Sequence, residues 1–133
     1  MNEKEERANG DRWVCIIEDD AFINKAYASK FAHEQITVKI AEDGEEGLRL
    51  LQSNEKPALI LLDLMLPKKN GFEVLEEVKK DFALKDIPVI ILTNLGQEQD
   101  AKRGMDLGAA EYLVKANMKI DDIVKKVKTY LGE

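Results

Sequence analysis

Residues 58–75 read ALILLDLMLPKKNGFEVL. The run Ala58 to Leu62 is continuously apolar rather than alternating, the pattern of a central strand covered on both faces. It stops at an acid, Asp63. A few residues on, Asn70 and Glu73 stand at the spacing of a helix-capping pair. Phe72, Leu75, Val78 and Phe82 then recur at helical spacing. The stretch is one β-α unit with a carboxylate at the strand's end.

The rest of the chain repeats that unit. Further apolar runs lie at Trp13 to Ile17, Ile36 to Ala41, Ile87 to Leu92 and Tyr112 to Val114. Asp43 with Glu46 caps a helix carrying Leu48 and Leu51. The last helix shows a stripe of Ile120, Ile123, Val124, Val127 and Leu131, with Asp121 and Asp122 in its first turn and lysines after them, matching the helix dipole. Gly132 supplies its stop. Five strands alternating strictly with five helices predict an α/β, doubly wound (βα)5 sandwich. Its parallel sheet has the order 2-1-3-4-5 and a switch point between strands 1 and 3. This is one domain, residues 12–132. The preceding MNEKEERANGD, residues 1–11, has no periodic apolar pattern and reads as a flexible tail.

Composition agrees with this reading and excludes others. The 133 residues are 44% hydrophobic, enough for one core. A net charge of -6 argues against a cationic surface, so no direct nucleic-acid binding is expected. No apolar run approaches the roughly 20 residues that span a bilayer, and no signal-peptide stretch opens the chain. The single cysteine, Cys15, forms no internal disulfide, and a cytoplasmic location is expected. Lys119, Lys125, Lys126 and Lys128 make the last helix basic, a solvated face or a surface for an acidic partner.

The polar residues at the strand ends carry the chemistry. Strand 1 runs into Glu18-Asp19-Asp20, strand 3 into Asp63, strand 4 into Thr93 and strand 5 into Lys115. A parallel sheet gathers these ends on one edge, and strands 1 and 3 are neighbours at the switch point. Glu18, Asp19 and Asp63 therefore converge. Either their pKa values rise or a cation is bound. An all-oxygen site that leaves positions to water suits Mg²⁺. With Lys115 as a fixed ammonium and Thr93 as a hydroxyl donor, this is the composition of a phosphoryl-transfer site.

Over residues 12–131 the chain resembles the receiver domain of two-component response regulators (CheY-like, flavodoxin-like fold, single-domain type). The matching stretches are VCIIEDD, LILLDLMLPKKNGFEVL, VIILTN and LGAAEYLVKA. The resemblance implies a non-enzymatic signalling protein in which Asp63 accepts a phosphoryl group from a histidine kinase or a histidine phosphotransfer protein. It implies Mg²⁺, with Mn²⁺ as a substitute, held by Glu18, Asp19, Asp63 and the Met65 carbonyl. Thr93 and Lys115 stabilise the phosphoryl group, and Thr93 and Tyr112 form the switch. The output surface is the face of helix 4, strand 5 and helix 5, which meets a downstream protein. Because the sequence stops just after Gly132, a stand-alone regulator acting through a partner or a relay is expected, or else a piece of a longer one.

Departures from the family pattern carry expectations of their own. Ala116 follows Lys115 where the family has proline, so a trans peptide and a rearranged loop are expected, since a cis bond there would cost about 3–4 kcal/mol. Met65, Asn94 and Leu95 hold the positions that tune dephosphorylation. Neither Met65 nor Leu95 can orient a water, so slow self-dephosphorylation is expected. His33 reads as a surface helix end and Trp13 as core. Two readings rival the main one: an aspartyl phosphatase of the haloacid-dehalogenase type, which would want a second acid at Met65, and an unphosphorylated pseudo-receiver that only binds partners.

Overall fold

The computed structural model describes residues 12–133, so the tail expected at 1–11 lies outside the described residues. Strands β1 (Trp13–Ile17), β2 (Thr37–Ala41), β3 (Leu59–Leu62), β4 (Val89–Thr93) and β5 (Glu111–Val114) alternate with five helices. These are α1 (Ala21–His33), α2 (Gly44–Leu51), α3 (Gly71–Lys80), α4 (Glu98–Asp106) and α5 (Ile120–Tyr130). The strands pair in parallel in the order β2-β1-β3-β4-β5, as read from the sequence.

Strand alternation sends side chains to two cores. Trp13, Cys15, Ile17, Ile60, Leu62, Val89 and Ile91 point to the face covered by Leu51 of α2 and by Val74, Leu75 and Val78 of α3. Val14, Ile16, Leu59, Leu61, Ile90 and Leu92 point to the other face, under Tyr27 and Phe31 of α1 and Ile123, Val124 and Val127 of α5. Each fully buried Leu or Ile contributes roughly 1.5–3 kcal/mol. Burial of Cys15 pushes its thiol up to about 12, so it is packing and not a reactive group.

The caps form where the sequence places them. Asp20 accepts the N–H groups of Phe22 and Ile23 at the start of α1, and Asp43 accepts that of Glu46 at the start of α2. Asn70 and Glu73 close a full capping box on α3. One element departs from expectation. The helical run does not reach Phe82: α3 ends at Lys80, Asp81 turns extended, and its carboxylate accepts the Ala83 N–H at 2.8 Å. Phe82 is left 86% exposed, with the Lys85 ammonium 4.8 Å from its ring centroid.

No cis peptide bond occurs among the described residues. The chain leaves β5 through a short 3-10 turn, Lys115–Asn117, and the peptide between Lys115 and Ala116 is trans, as expected. The lysines of α5 are partly spent within the fold: Lys126 pairs with Glu111 at 2.7 Å and Lys128 with Glu34 at 3.3 Å. His33 ends α1 exposed. No helix among the described residues is long and apolar enough to cross a membrane.

Candidate functional site

The register of the sheet builds the site. Ile17 of β1 pairs with Leu62 of β3, so the next residues, Glu18 and Asp63, leave the sheet side by side. The ladder runs on just far enough to fix both main chains: the Glu18 N–H reaches the Ala41 carbonyl at 2.9 Å and the Asp63 N–H the Ile17 carbonyl at 3.0 Å. On the far side Thr93 pairs with Val114, which sets Lys115 at the same edge.

Lys115 is the centre of charge. Its ammonium donates to Asp63 Oδ2 at 2.9 Å and also bonds Glu18 Oε1. Both acids are almost fully buried, while Asp19 is exposed. Oxygens of Glu18, Asp19 and Asp63 all lie within 4.8 Å of one another. Burial pushes the Glu18 carboxyl above its ordinary value, outweighing the bonds from Lys115 and the Asp20 N–H. Burial also works against the Lys115 charge, but Glu18 and Asp63 together hold its pKa above that of an ordinary lysine. Three carboxylates face one ammonium, and the excess negative charge on an all-oxygen donor set fits a hard divalent cation.

The Asp63 loop is tightly built. Asp63 Oδ1 accepts the Met65 N–H at 3.2 Å, and the Gly71 N–H bonds the Leu64 carbonyl at 3.0 Å. A Cβ on Gly71 would stand 2.3 Å from the Asp63 carbonyl oxygen and 2.5 Å from Leu64 Cα. That is why glycine follows Asn70: the start of α3 presses on the backbone carrying the acid. The loop's outer end rests on α2, where the Lys69 carbonyl oxygen lies 2.0 Å from where a Gly44 Cβ would be. Met65 itself is 56% exposed beside the site.

Thr93 and Tyr112 are joined through one residue. The Thr93 hydroxyl accepts the Leu95 N–H at 3.4 Å, and the Tyr112 hydroxyl donates to the Leu95 carbonyl. Thr93 is fully buried, whereas Tyr112 and Leu95 are half-buried and Asn94 is exposed. All the residues singled out at the strand ends thus gather at one edge, and the link through the Leu95 backbone is added to them.

Sequence reasoning missed two residues of α1. Asn24 is buried, and its side-chain amide donates to the Glu18 carbonyl at 2.7 Å. Tyr27, one turn on, is buried within electrostatic range of Lys115, Glu18 and Asp63, and burial pushes its hydroxyl up to about 12. The signal was present, since Asn24, Tyr27 and Phe31 share one helical face.

Residues 14–128 match the family model of the response regulator receiver domain. The chain belongs to that family. It is 40% identical over 102 residues to a probable transcriptional regulator, ycf27, of Guillardia theta, covering 77% of this chain and 39% of that protein. It is 38% identical over 118 residues to the DNA-binding dual master transcriptional regulator RpaA of Synechocystis, covering 89% of this chain and 48% of RpaA. Among solved structures, the phosphorylated cyanobacterial phytochrome response regulator RcpA is 32% identical. It superposes with a TM-score of 0.80 over 90% of this chain and 92% of RcpA. The Mn²⁺-bound form of the response regulator Rcp1 is 30% identical, with a TM-score of 0.78 over 90% of this chain and 94% of Rcp1.

The chain spans about half the length, or less, of the curated relatives it matches. These relatives correct one expectation, that nucleic acid is no partner. RpaA is a DNA-binding regulator, and ycf27 is named as a transcriptional one. The charge argument addressed only the acidic receiver, and about half of RpaA lies outside the match.

Proposed function

We propose that Asp63 is the phosphoacceptor of this receiver and that Lys115, Thr93 and Tyr112 convert its phosphorylation into a change of surface. The observation that carries the reading is the Lys115 ammonium set between the buried carboxylates of Asp63 and Glu18. An Asp63 carboxylate oxygen attacks the phosphorus of a phosphohistidine on a kinase or phosphotransfer protein. The new P–O bond forms as the P–N bond breaks, and the imidazole leaves. Lys115 gives up part of its bond to Asp63 for a phosphoryl oxygen.

Glu18, Asp19, Asp63 and the Met65 carbonyl would hold Mg²⁺, or Mn²⁺. Bound there, such an ion neutralises charge on the phosphoryl oxygens. The Mn²⁺-bound state of Rcp1 and the phosphorylated state of RcpA support this assignment by kinship.

Thr93 then turns its hydroxyl toward the phosphoryl group and lets go of the Leu95 N–H. Because Tyr112 is bonded to the carbonyl of the same residue, the β4-α4 segment and Tyr112 move together. The α4-β5-α5 face is biased between two packings. In view of its relatives, we assign that face the control of a transcriptional output, on this chain or on a partner. Met65 and Leu95 bring no polar side-chain atom to orient a hydrolytic water, so the acyl phosphate is long-lived.

Incubation with a small acyl phosphodonor and Mg²⁺, read by intact mass, tests the assignment. One hydroxylamine-sensitive phosphoryl group is expected, absent in Asp63→Asn. A protein that stays unmodified is a pseudo-receiver and sinks the proposal, while a phosphoryl lifetime of seconds sinks the slow-hydrolysis part alone.

A further inference from the structure

Resting on the reading of Glu18 as a metal ligand, we propose that Asn24 is a positioning residue of the metal site. Its side-chain amide holds the Glu18 main chain and so fixes the direction from which the Glu18 carboxylate meets Lys115 and Asp63. Glu18 is the first residue beyond β1, where the ladder ends. Its N–H still finds the Ala41 carbonyl, but its own carbonyl receives no main-chain donor among the described residues. The Asn24 Nδ2 group, at 2.7 Å, takes that place.

The other half of the amide shows what the residue is kept for. Asn24 Oδ1 is buried and has no hydrogen-bond partner among the described residues. A buried, unpaired acceptor costs stability. An apolar side chain on this face of α1, in line with Tyr27 and Phe31, would avoid that cost. Asparagine therefore serves the Glu18 carbonyl at the expense of its own oxygen. The bond also closes a short circuit around the turn. Asn24 N–H bonds the Asp20 carbonyl, Asp20 N–H bonds Glu18 Oε2, and Asn24 Nδ2 returns to the Glu18 carbonyl. Both ends of Glu18, main chain and carboxylate, are thus set by one helical turn. Groups that orient a metal ligand without touching the ion typically carry a 10–100-fold share of its affinity.

Asn24→Leu tests this, because leucine fills a similar volume and trades the unpaired Asn24 Oδ1 for an unpaired Glu18 carbonyl, so the cost of one buried acceptor replaces that of the other. The readouts are the Mg²⁺ dissociation constant by calorimetric titration and the thermal midpoint of the metal-free protein. The expected result is a midpoint close to wild type with Mg²⁺ bound about tenfold more weakly. Asn24→Gln, which keeps an amide on a longer arm, is expected to recover part of that loss. A merely structural asparagine would instead move the midpoint and leave the dissociation constant alone. Should the leucine variant not fold, Asn24→Ser removes the amide at lower packing cost and is read in the same way. An unchanged dissociation constant overturns the proposal. If at the same time wild type takes up phosphate and Asp63→Asn does not, the phosphoacceptor reading stands and only the role of Asn24 falls. A wild-type protein that binds no Mg²⁺ overturns both.

Discussion

Helices α3 and α4 each lay a glycine against the sheet, and the two contacts differ in what the glycine meets. Gly71 of α3 presses on backbone, the Asp63 carbonyl and Leu64 Cα, neither of which can yield. Gly104 of α4 presses on side-chain ends: a Cβ there would lie 2.6 Å from Ile91 Cδ1 and 3.2 Å from Tyr112 Cδ2. Around Gly71, α3 has a capping box and buries Phe72, Val74, Leu75 and Val78. Around Gly104, α4 has no side-chain cap and buries nothing else, although Arg103 reaches the Phe72 ring at 4.0 Å. The helix behind the proposed acceptor is bolted to it, and the helix on the proposed output face only leans against the sheet. A receiver needs both: a rigid carboxylate for chemistry, and an element close enough to balance for a local charge change to move it.

The strongest test of that contrast is Gly71→Ala. The alanine methyl has no space, and its gain in helix propensity at the first turn of α3 is small. We expect a loss of about 3 kcal/mol or more in urea unfolding, with phosphate uptake impaired in whatever fraction folds. A variant of near wild-type stability would show that the Asp63 loop is not held by this contact.

Gly104→Ala is the matched experiment on the other side. Crowding of Ile91 and Tyr112 is opposed by the roughly 0.5–1 kcal/mol that alanine gains over glycine inside a helix. The net change in stability is expected to stay within about 1 kcal/mol. The visible effect should fall on Tyr112, read as altered near-ultraviolet circular dichroism and as a changed response to phosphorylation. A stability loss as large as that of Gly71→Ala would erase the distinction between the two helices.

Much of this was legible in the sequence, for a geometric reason. Parallel strands put all their C-terminal ends on one edge, so Glu18, Asp63, Thr93 and Lys115 could be brought together from strand assignments alone. Asn24 was not, because a buried asparagine and an exposed one look alike until the neighbouring carbonyl is seen to lack a donor. Phe82 misled in the opposite direction. It continues the helical spacing of α3, but the Asp81 carboxylate bonds the Ala83 N–H and turns the chain away one residue earlier. Nor could the acidity of one domain speak for the DNA-binding activity of RpaA, about half of which lies outside the match.

The smallest expected effect concerns how α5, unlike α4, is fastened to the edge strand. Glu111 of β5 accepts from Lys126 at 2.7 Å and from the Tyr130 hydroxyl at 2.6 Å. The Lys126 bond first, and that from Tyr130 second, hold its carboxyl below the ordinary value of 4.5. A carboxyl lowered in the folded state adds stability above its unfolded pKa and loses it as pH falls through the folded one. Glu111→Gln is therefore expected to be less stable than wild type at pH 7 by roughly 0.2–1 kcal/mol, the range of partly exposed ion pairs. The difference should shrink as the medium is acidified below the ordinary glutamate range, and it should vanish once Glu111 is protonated in both states. Raising the salt concentration should reduce it as well. A difference that persists undiminished in acid would mean that Glu111 fastens α5 by packing and not by charge, leaving α4 and α5 held to the sheet in the same manner.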